Sequence, residues 1–331
     1  MEGICMEINR ITPEDMQYTV RLSTIALKPK KLYYYGKMPE ADERFWNSEP
    51  RYVFEGRGRP KTVAVVGARK CTNYGREQAY RIAFELAKQG VIIVSGLAFG
   101  IDSVAHRAAL DAGGVTVAVL GTPIDQIYPA CHNGLAQEII EKGGVVMSEY
   151  PEWKEVLKDE KLTRMLQSQS GRKSAFLLRN RLISGLSDIV VIVEADLRSG
   201  SLNTAHHAFD QSNLVYAVPG DVTRMGSRGC NKLLGRGAVA FSETEEILLD
   251  LGISPEKIKS KKKEEAKGET EIETWILKKM EDGVLDGEEI LEKIIEDGMK
   301  ITASEFTTAV FDLQIKGRIK AMGGNRWLLI R

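Results

Sequence analysis

The sequence predicts an α/β protein with a Rossmann-like, doubly wound, mostly parallel sheet and a small C-terminal winged helix-turn-helix domain. Apolar runs such as residues 62–66 (TVAVV) are typical of parallel strands that are buried on both faces. Segments with helical spacing alternate with these runs, as right-handed βαβ crossovers require. After residue 270, three helical segments and a glycine-rich hairpin predict the winged helix.

Strands and helices are expected to alternate through the larger domain. The predicted strands are 62–66, 91–94, 115–120, 145–147, 189–193 and 214–218. The predicted helices are 74–89, 102–112, 135–142, 176–186, 202–211 and 231–234. About forty residues separate Glu149 from Ile189, where one helix would suffice. The first part of this stretch, 151–170, is polar and predicts an added helix or a mobile loop.

Four regions follow from these patterns. Residues 1–58 have weak periodicity and predict a truncated helical arm, with one helix near 13–25 and a short strand at 32–36. Residues 59–251 form the Rossmann-like core. A charged linker at 252–270 is almost devoid of apolar residues. The winged helix, 271–331, has predicted helices at 272–280, 288–296 and 304–314 and hairpin strands at 319–322 and 326–330.

Composition excludes several classes of protein. Lys and Arg number 46 and so do Asp and Glu, so a nucleic-acid site must come from local clustering of cations. The cysteines, Cys5, Cys71, Cys131 and Cys230, are far apart, which favours a reducing cytoplasm over a disulfide framework. No Cys/His spacing resembles a zinc site, and we expect neither metal nor cofactor. No apolar run reaches about 18 residues, so no membrane span is expected.

The turns after the predicted strands are the candidate ligand-binding segments, because ligands bind outside the carboxyl ends of parallel strands. The candidate residues are Gly67, Arg69 and Lys70, then Ser95, Gly96 and Gly100, and finally Ser199 and Ser201. Glycines allow close backbone approach, and helix N-termini offer N–H groups to an anion. Neither a G-x-G-x-x-G nor a G-x-x-x-x-G-K-[ST] motif is present. Phosphate binding without a nucleotide fingerprint is one interpretation, and ordinary βα turns with surface charges are the other.

A basic segment at residues 161–181 contains no Asp or Glu. Its cations are Lys161, Arg164, Arg172, Lys173, Arg179 and Arg181, with Phe176 and Asn180 among them. Cations neutralise phosphates while an aromatic ring stacks on any base, so this pattern favours single-stranded nucleic acid. A solvated helix face is the alternative.

Catalytic groups are also considered. Asp102 and His106 lie one helical turn apart, but we favour a helix N-cap and a hydrogen-bonded histidine over an acid–base dyad. Glu149 and Glu194 lie at strand ends and are candidate bases. The PGGxGT motif of Rossmann-like nucleotide hydrolases is absent, because the strand at 214–218 is followed by Pro219-Gly220-Asp221. We expect no enzyme, and a nucleotide hydrolase or nucleotide-derived ligand sensor stays the alternative.

Together these motifs resemble those of the DprA/Smf (DNA processing protein A) family. The matching pieces are VAVVGAR, SGLAFGIDSVAHRAAL, TVAVLG, IYP, SEYP, FLLRNRLISGLSD, VVIVEA, SGSLNTA and YAVPG, in family order over about 62–240. The resemblance implies a core that binds single-stranded DNA, forms a homodimer and loads the recombinase RecA during natural transformation. By matching motif, the DNA-site arginine is Arg69, the Lys-x-x-Phe pair is Lys173 and Phe176, and the motif continues to Arg179, Asn180 and Arg181. The segment before Lys173 is longer than is usual in the family.

The charge of the tail argues against DNA reading by the winged helix. Residues 271–331 hold nine Lys and Arg and twelve Asp and Glu, a net charge of −3. The presumed recognition helix, 304–314, contains Glu305 and Asp312 and no Lys or Arg. A helix that tracks phosphates normally carries cations, so we expect the tail to contact mainly protein.

Overall fold

The computed structural model describes residues 7–39, 60–253, 268–281 and 284–329. The chain forms two compact units, 1–253 and 254–331. Residues 1–6 and 40–58 of the predicted arm, residues 254–267 of the predicted linker, and Ile330 at the end of the predicted hairpin lie outside the described residues. No helix in the described ranges is long and apolar enough to cross a membrane.

The elements of the first unit are given in chain order. The strands are β1 (Asn9–Ile11), β2 (Leu32–Gly36), β3 (Thr62–Val66), β4 (Ile92–Ser95), β5 (Thr116–Leu120), β6 (Val145–Ser148), β7 (Ile189–Ile192), β8 (Leu214–Ala217) and β9 (Val239–Ala240). The α-helices are α1 (Asn73–Lys88), α2 (Ile101–Asp111), α3 (Asn133–Glu141), α4 (Trp153–Val156), α5 (Glu160–Gln167), α6 (Gln169–Leu186), α7 (Ser201–Asp210), α8 (Met225–Leu234) and α9 (Thr244–Asp250).

The strands form one sheet in the order β1-β2-β6-β5-β4-β3-β7-β8-β9. Strands β3 to β9 are parallel to their neighbours, whereas β1 and β2 add antiparallel strands next to β6. The chain moves outward from β3 to β6 and then returns to the other side of β3, so the strand order reverses between β3 and β7. The predicted α/β class with a mostly parallel, Rossmann-like sheet is confirmed.

Burial explains why the central strands were easy to predict. All five residues of β3 and of β5 are buried, as expected for parallel strands covered by helices on both faces. Thr72 is the N-cap of helix α1, and its side chain accepts a hydrogen bond from the Gly75 N–H. This cap explains why α1 begins at Asn73.

The predicted helix at 13–25 is wrong. Two short 3-10 helices occupy this region, Pro13–Asp15 and Val20–Ser23, and the backbone between them is extended at Met16. The Thr19 hydroxyl donates to the carbonyl oxygens of Pro13 and Met16 at 2.9 and 3.3 Å, which satisfies these groups outside an α-helix. The predicted strand at 32–36 is confirmed as β2, and together with β1 it makes part of the expected arm a portion of the sheet.

Helix α8 begins six residues before the predicted start at 231. Gly226 and Gly229 have low helix propensity and conceal its first turns in the sequence. The structure requires both glycines, because a Cβ atom at Gly226 would lie 2.5 Å from the Glu194 carboxylate and one at Gly229 would lie 2.6 Å from the Ala195 carbonyl oxygen.

The stretch between β6 and β7 contains three helices. Helices α4 and α5 occupy the polar part, and α6 begins at Gln169, seven residues before the predicted start. Ser168 ends α5 and caps α6, with its hydroxyl accepting from the Gly171 N–H. Leu166 of α5 and Ala175 of α6 are buried in one small apolar cluster, so the added helices pack on α6.

The described residues of the second unit form three helices and a hairpin: α10 (Glu271–Glu281), α11 (Gly287–Glu296), α12 (Ala303–Ile315), β10 (Ile319–Gly323) and β11 (Arg326–Leu329). This is the predicted element order. Its core includes Ile276, Ile290, Phe306 and Leu313. Assignment of this unit as a winged helix stays a prediction.

Candidate nucleic-acid interface

A small open cleft lies at the carboxyl ends of β3, β4 and β5. It is lined by Arg69, Gly96, Ala98, Phe99, Tyr128, Pro129, Phe176 and Arg179. Four separate segments supply these residues, namely the turns after the three strands and helix α6. The sheet therefore brings together groups that are up to about 110 positions apart in the chain.

Aromatic rings form the walls of this cleft. The Phe176 and Tyr128 ring centroids are 5.3 Å apart with a tilt of 39°. Gly121 leaves room for the Phe176 ring at the end of β5, since a Cβ atom there would lie 2.6 Å from the ring. Phe99 and Tyr128 are 47% and 50% exposed, which is unusual for large apolar rings and leaves their surfaces free for a ligand.

Arg69 lies at the rim of the cleft. Its Cζ atom is 5.6 Å from the Phe176 ring centroid, which is within the range of a cation–π interaction. The side chain is exposed and makes no ion pair within the described part of the chain. Gly100, at φ +76°, allows the start of α2 to approach this turn closely, and the Ile101 N–H donates to the Ala68 carbonyl at 3.2 Å. The turn that carries Arg69 is thus held by backbone packing.

Arg179 lies at the floor of the cleft and is 4% exposed. Its Nη1 donates to the Gly96 carbonyl at 2.8 Å and also to the Val119 carbonyl, which joins β5 to the turn after β4. Burial lowers the pKa of Arg179 to about 10, while the nearby Asp102 carboxylate favours the charged form. The guanidinium therefore remains positive at neutral pH.

Asp102 does not cap α2 as predicted. The N-cap is Gly100, and Asp102 lies in the first turn, where its carboxylate accepts a hydrogen bond from the Gly96 N–H at 3.1 Å. Burial raises the pKa of Asp102. The Asp102 carboxylate fixes the backbone of the turn after β4 by this hydrogen bond.

His106 is fully buried, and one of its two ring nitrogens is hydrogen-bonded, whereas the buried Nε2 has no partner among the described residues. Its Nδ1 atom lies 2.6 Å from the Thr116 hydroxyl, and that hydroxyl donates to the Ile93 carbonyl at 2.7 Å. Since the hydroxyl has one proton, Nδ1 must donate to it. Burial lowers the pKa of His106 to about 3, so the ring is neutral.

The reversal of strand order between β3 and β7 is where ligands usually bind in such sheets. Here Glu194 occupies that position and is 6% exposed. Its carboxylate accepts from the Thr72 N–H at 2.9 Å and from the Thr72 hydroxyl at 3.2 Å. A Cβ atom at Gly75 would collide with the same carboxylate. The negative charge at the N-terminus of α1 is therefore supplied by the chain itself.

Besides Arg179, three predicted site residues make buried contacts within the protein. The Arg181 guanidinium, 4% exposed, bonds both Glu149 oxygens, at 3.0 and 2.7 Å, and the Leu27 carbonyl at 2.6 Å. The Asn180 amide donates to the Gly200 carbonyl at 3.2 Å. The Ser95 hydroxyl donates to the Val65 carbonyl at 2.8 Å. These contacts position α6 and the strand ends.

The remaining predicted residues lie around the cleft or away from it. Lys70 and Lys173 are exposed, and Lys173 lies one helical turn before Phe176. Gly67 packs on Ile101, where a Cβ atom would lie 2.7 Å from the side chain. The Ser199 and Ser201 hydroxyls bond one another at 2.8 Å in the turn before α7 and do not line the cleft.

Four cleft residues were missed in the sequence: Ala98, Phe99, Tyr128 and Pro129. Phe99 and Tyr128 carried one usable signal, since each aromatic residue follows a buried strand in a segment rich in Gly and Pro, where core packing does not require it. Within the described residues, no group of three or more His, Cys, Asp or Glu side chains is arranged to hold a metal ion.

Comparison with known proteins gives a consistent result. The family model for DNA recombination-mediator protein A matches residues 54–252. Protein Smf of Escherichia coli K12 is 43% identical over 189 residues, which is 57% of this chain and 46% of that protein. DNA processing protein DprA of Bacillus subtilis is 32% identical over 244 residues, 74% of this chain and 71% of that protein. The chain spans about half the length of the first of these relatives.

Solved structures that resemble the chain include two of DNA processing protein A. DNA processing protein A from Streptococcus pneumoniae has a TM-score of 0.57 and 31% identity, and the match covers 73% of this chain and 74% of that one. DNA processing protein A from Helicobacter pylori has a TM-score of 0.57 and 28% identity, over 75% of this chain and 96% of that one. The latter structure concerns the single-stranded DNA binding mode of that protein.

Proposed function

Since the chain belongs to the DNA recombination-mediator protein A family, we propose that it binds single-stranded DNA in the aromatic cleft and acts in DNA processing during recombination. The observation that carries this proposal is the juxtaposition of an exposed arginine, Arg69, with the ring of Phe176 at a cleft that is also lined by Tyr128. A cation for phosphate beside rings for bases is the combination that single strands require.

The geometry favours a single strand over a duplex. Bases stack on aromatic side chains only when they are unpaired and splayed from the strand, and Phe99 and Tyr128 offer exposed rings about a narrow opening. Phosphate contacts and stacking carry no base code, so binding has little sequence preference.

The proposed roles divide by exposure. Arg69, Lys70 and Lys173 contact phosphates, and Phe176 and Tyr128 stack on bases. Most of the other residues predicted for the site act through the shape of the cleft: Gly67, Ser95, Gly96, Gly100, Arg179, Asn180 and Arg181. Ser199 and Ser201 lie outside the cleft and support the turn before α7. A buried guanidinium such as that of Arg181, whose donors already bond Glu149, supports α6 without leaving the protein interior.

Two further parts of the proposal rest on the motif resemblance. The protein forms a homodimer, and it loads the recombinase RecA on incoming DNA during natural transformation. Measurement of the mass of the protein in solution tests the homodimer. Addition of RecA to the complex with single-stranded DNA tests RecA loading.

Fluorescence-anisotropy titration tests DNA binding directly. A labelled oligothymidylate, a mixed-sequence single strand and the corresponding duplex are titrated at several salt concentrations, with free nucleotides as competitors. The Arg69→Ala variant should lower the slope of log affinity against log salt by roughly 0.7, the value for one lost phosphate contact. Lys142→Ala is the matched control. Lys142 lies between α3 and the amino end of β6, away from the carboxyl ends of the strands, and pairs with Glu138 at 2.9 Å.

Equal affinity for the duplex would contradict the proposal, as would an unchanged salt slope in Arg69→Ala. Displacement of the oligonucleotide by a mononucleotide at comparable concentration would instead favour a nucleotide sensor.

A further inference from the structure

The added helices α4 and α5 carry charges that are segregated along the chain. Residues 152–160 contain the acidic groups Glu152, Glu155, Asp159 and Glu160. From Lys161 to Ser187 there is no Asp or Glu. The surface of the insertion therefore changes from acidic at α4 to basic at the junction of α5 with α6.

The cations of the insertion fall into two groups. Lys154 and Lys158 are neutralised locally, by Glu152 at 2.9 Å and by Glu155 at 2.6 Å. Lys161, Arg164 and Arg172 are exposed and make no ion pair within the described part of the chain. A cation without a partner keeps its charge available to a polyanion, whereas a paired one must first give up its carboxylate.

Helix α6 connects these three cations to the cleft. Arg172 lies four residues before Phe176 and thus on the same helix face, about 6 Å along the axis. Helix α5 joins α6 at the single residue Ser168, and its Leu166 packs with Ala175, the residue before Phe176. Lys161 and Arg164 are therefore carried by a helix that packs on the turn of α6 that bears the stacking ring.

We propose that Lys161, Arg164 and Arg172 form a second phosphate-binding surface, on which the single strand continues after it leaves the aromatic cleft. The surface binds the sugar–phosphate backbone by charge. It lengthens the stretch of DNA that one subunit covers, which gives the added helices α4 and α5 a function. This inference rests on the proposed binding of single-stranded DNA in the cleft.

Counterion release sets the expected effect. One phosphate contact on a single strand contributes a salt slope of about 0.7, which at 0.15 M salt corresponds to roughly fourfold in affinity. The loss of Lys161 and Arg164 together should then weaken binding roughly fifteenfold and lower the slope by about 1.4. The effect should be confined to strands that are long enough to reach α5.

The experiment compares a short oligothymidylate of about 6 nucleotides with a long one of about 20, a range that brackets common single-strand site sizes. The test variant is Lys161→Gln with Arg164→Gln, and a second test variant is Arg172→Gln. The control is Lys154→Gln with Lys158→Gln, which removes the same charge from the same insertion at cations that already have partners. Melting temperatures confirm that each variant is folded.

The inference expects a roughly fifteenfold loss for the long strand, little change for the short strand, and little change in the control. Equal losses for both strands, or equal losses in the test and control variants, would show a general charge effect and overturn it. Unchanged binding of both strands would also overturn it and leave the cleft proposal intact. Failure of the wild-type protein to bind either strand would refute the proposed function itself.

Discussion

The ring of Phe176 provides the sharpest test of the cleft, because stacking on a base and packing within the protein predict different results. The ring contacts Tyr128 at 5.3 Å and lies 5.6 Å from Arg69, so it is held on two sides with a third side toward the opening. If a base stacks on it, Phe176→Ala should cost about 1–3 kcal/mol of binding, which is roughly 5-fold to 150-fold in affinity.

The Phe176→Leu variant separates the two roles. Leucine keeps an apolar side chain over Gly121 but offers no flat ring to a base and no π-face to Arg69. We expect Phe176→Leu to lose most of the affinity that Phe176→Ala loses while retaining nearly all the stability. Phe176 is only partly buried, so even the alanine variant should lose less than the roughly 3–5 kcal/mol typical of a core phenylalanine.

Anisotropy titration with a single strand and urea denaturation are measured on the same preparations. Wild-type affinity in Phe176→Leu would refute base stacking on this ring. Unchanged affinity together with lower stability in Phe176→Ala would identify Phe176 as a packing residue only.

Three other predictions follow from burial and charge. Arg181→Ala leaves the Glu149 carboxylate without its buried partner and should lower the free energy of unfolding by about 3–5 kcal/mol in urea denaturation; a change below 1 kcal/mol would show that the pair is dispensable. The folded pKa of His106, about 3, lies below its unfolded value near 6.5, so stability is fully present above pH 6.5 and is lost as pH falls toward 3. This amounts to about 2 kcal/mol between pH 7 and 5, and a His106→Gln variant with the same pH dependence as the wild type would contradict it. A chain that ends at Ile253 should bind single-stranded DNA within about tenfold of the full chain, and a folded truncated chain without affinity would show that residues 254–331 read DNA.

The central sheet could be predicted because its strands are buried on both faces. Such strands have continuous apolar runs, as in residues 62–66 and 116–120, and their length of five residues favours a strand over a buried helix. The edge strands could not be predicted with the same ease. β1 has three residues, Asn9–Ile11, and pairs only with β2, so its sequence carries almost no periodic signal.

The candidate site residues were chosen by residue type, which does not report exposure. The motif at 179–181 (RNR) suggested cations for phosphate, yet both arginines are 4% exposed. Helical spacing already contained this information for Arg179, since Ala175, Leu182 and Leu186 lie on the same face of α6 and all are buried. Arg172 and Lys173, one to two turns earlier, lie before that apolar stripe begins and are exposed. A count of cations therefore overestimates the phosphate contacts of this segment.

The contacts of Arg179 link the fold to the cleft. Its guanidinium binds the Gly96 carbonyl in the turn after β4 and the Val119 carbonyl within β5, and these are the segments that lead to Phe99 and Tyr128. Removal of Arg179 would leave two buried carbonyl groups without a hydrogen-bond donor and the Asp102 carboxylate without a nearby positive charge. The free energy of unfolding and the affinity for DNA should therefore fall together. Removal of Arg69, which is exposed at the rim, should affect binding alone. A variant with weak DNA binding thus identifies a contact residue only when its free energy of unfolding is unchanged.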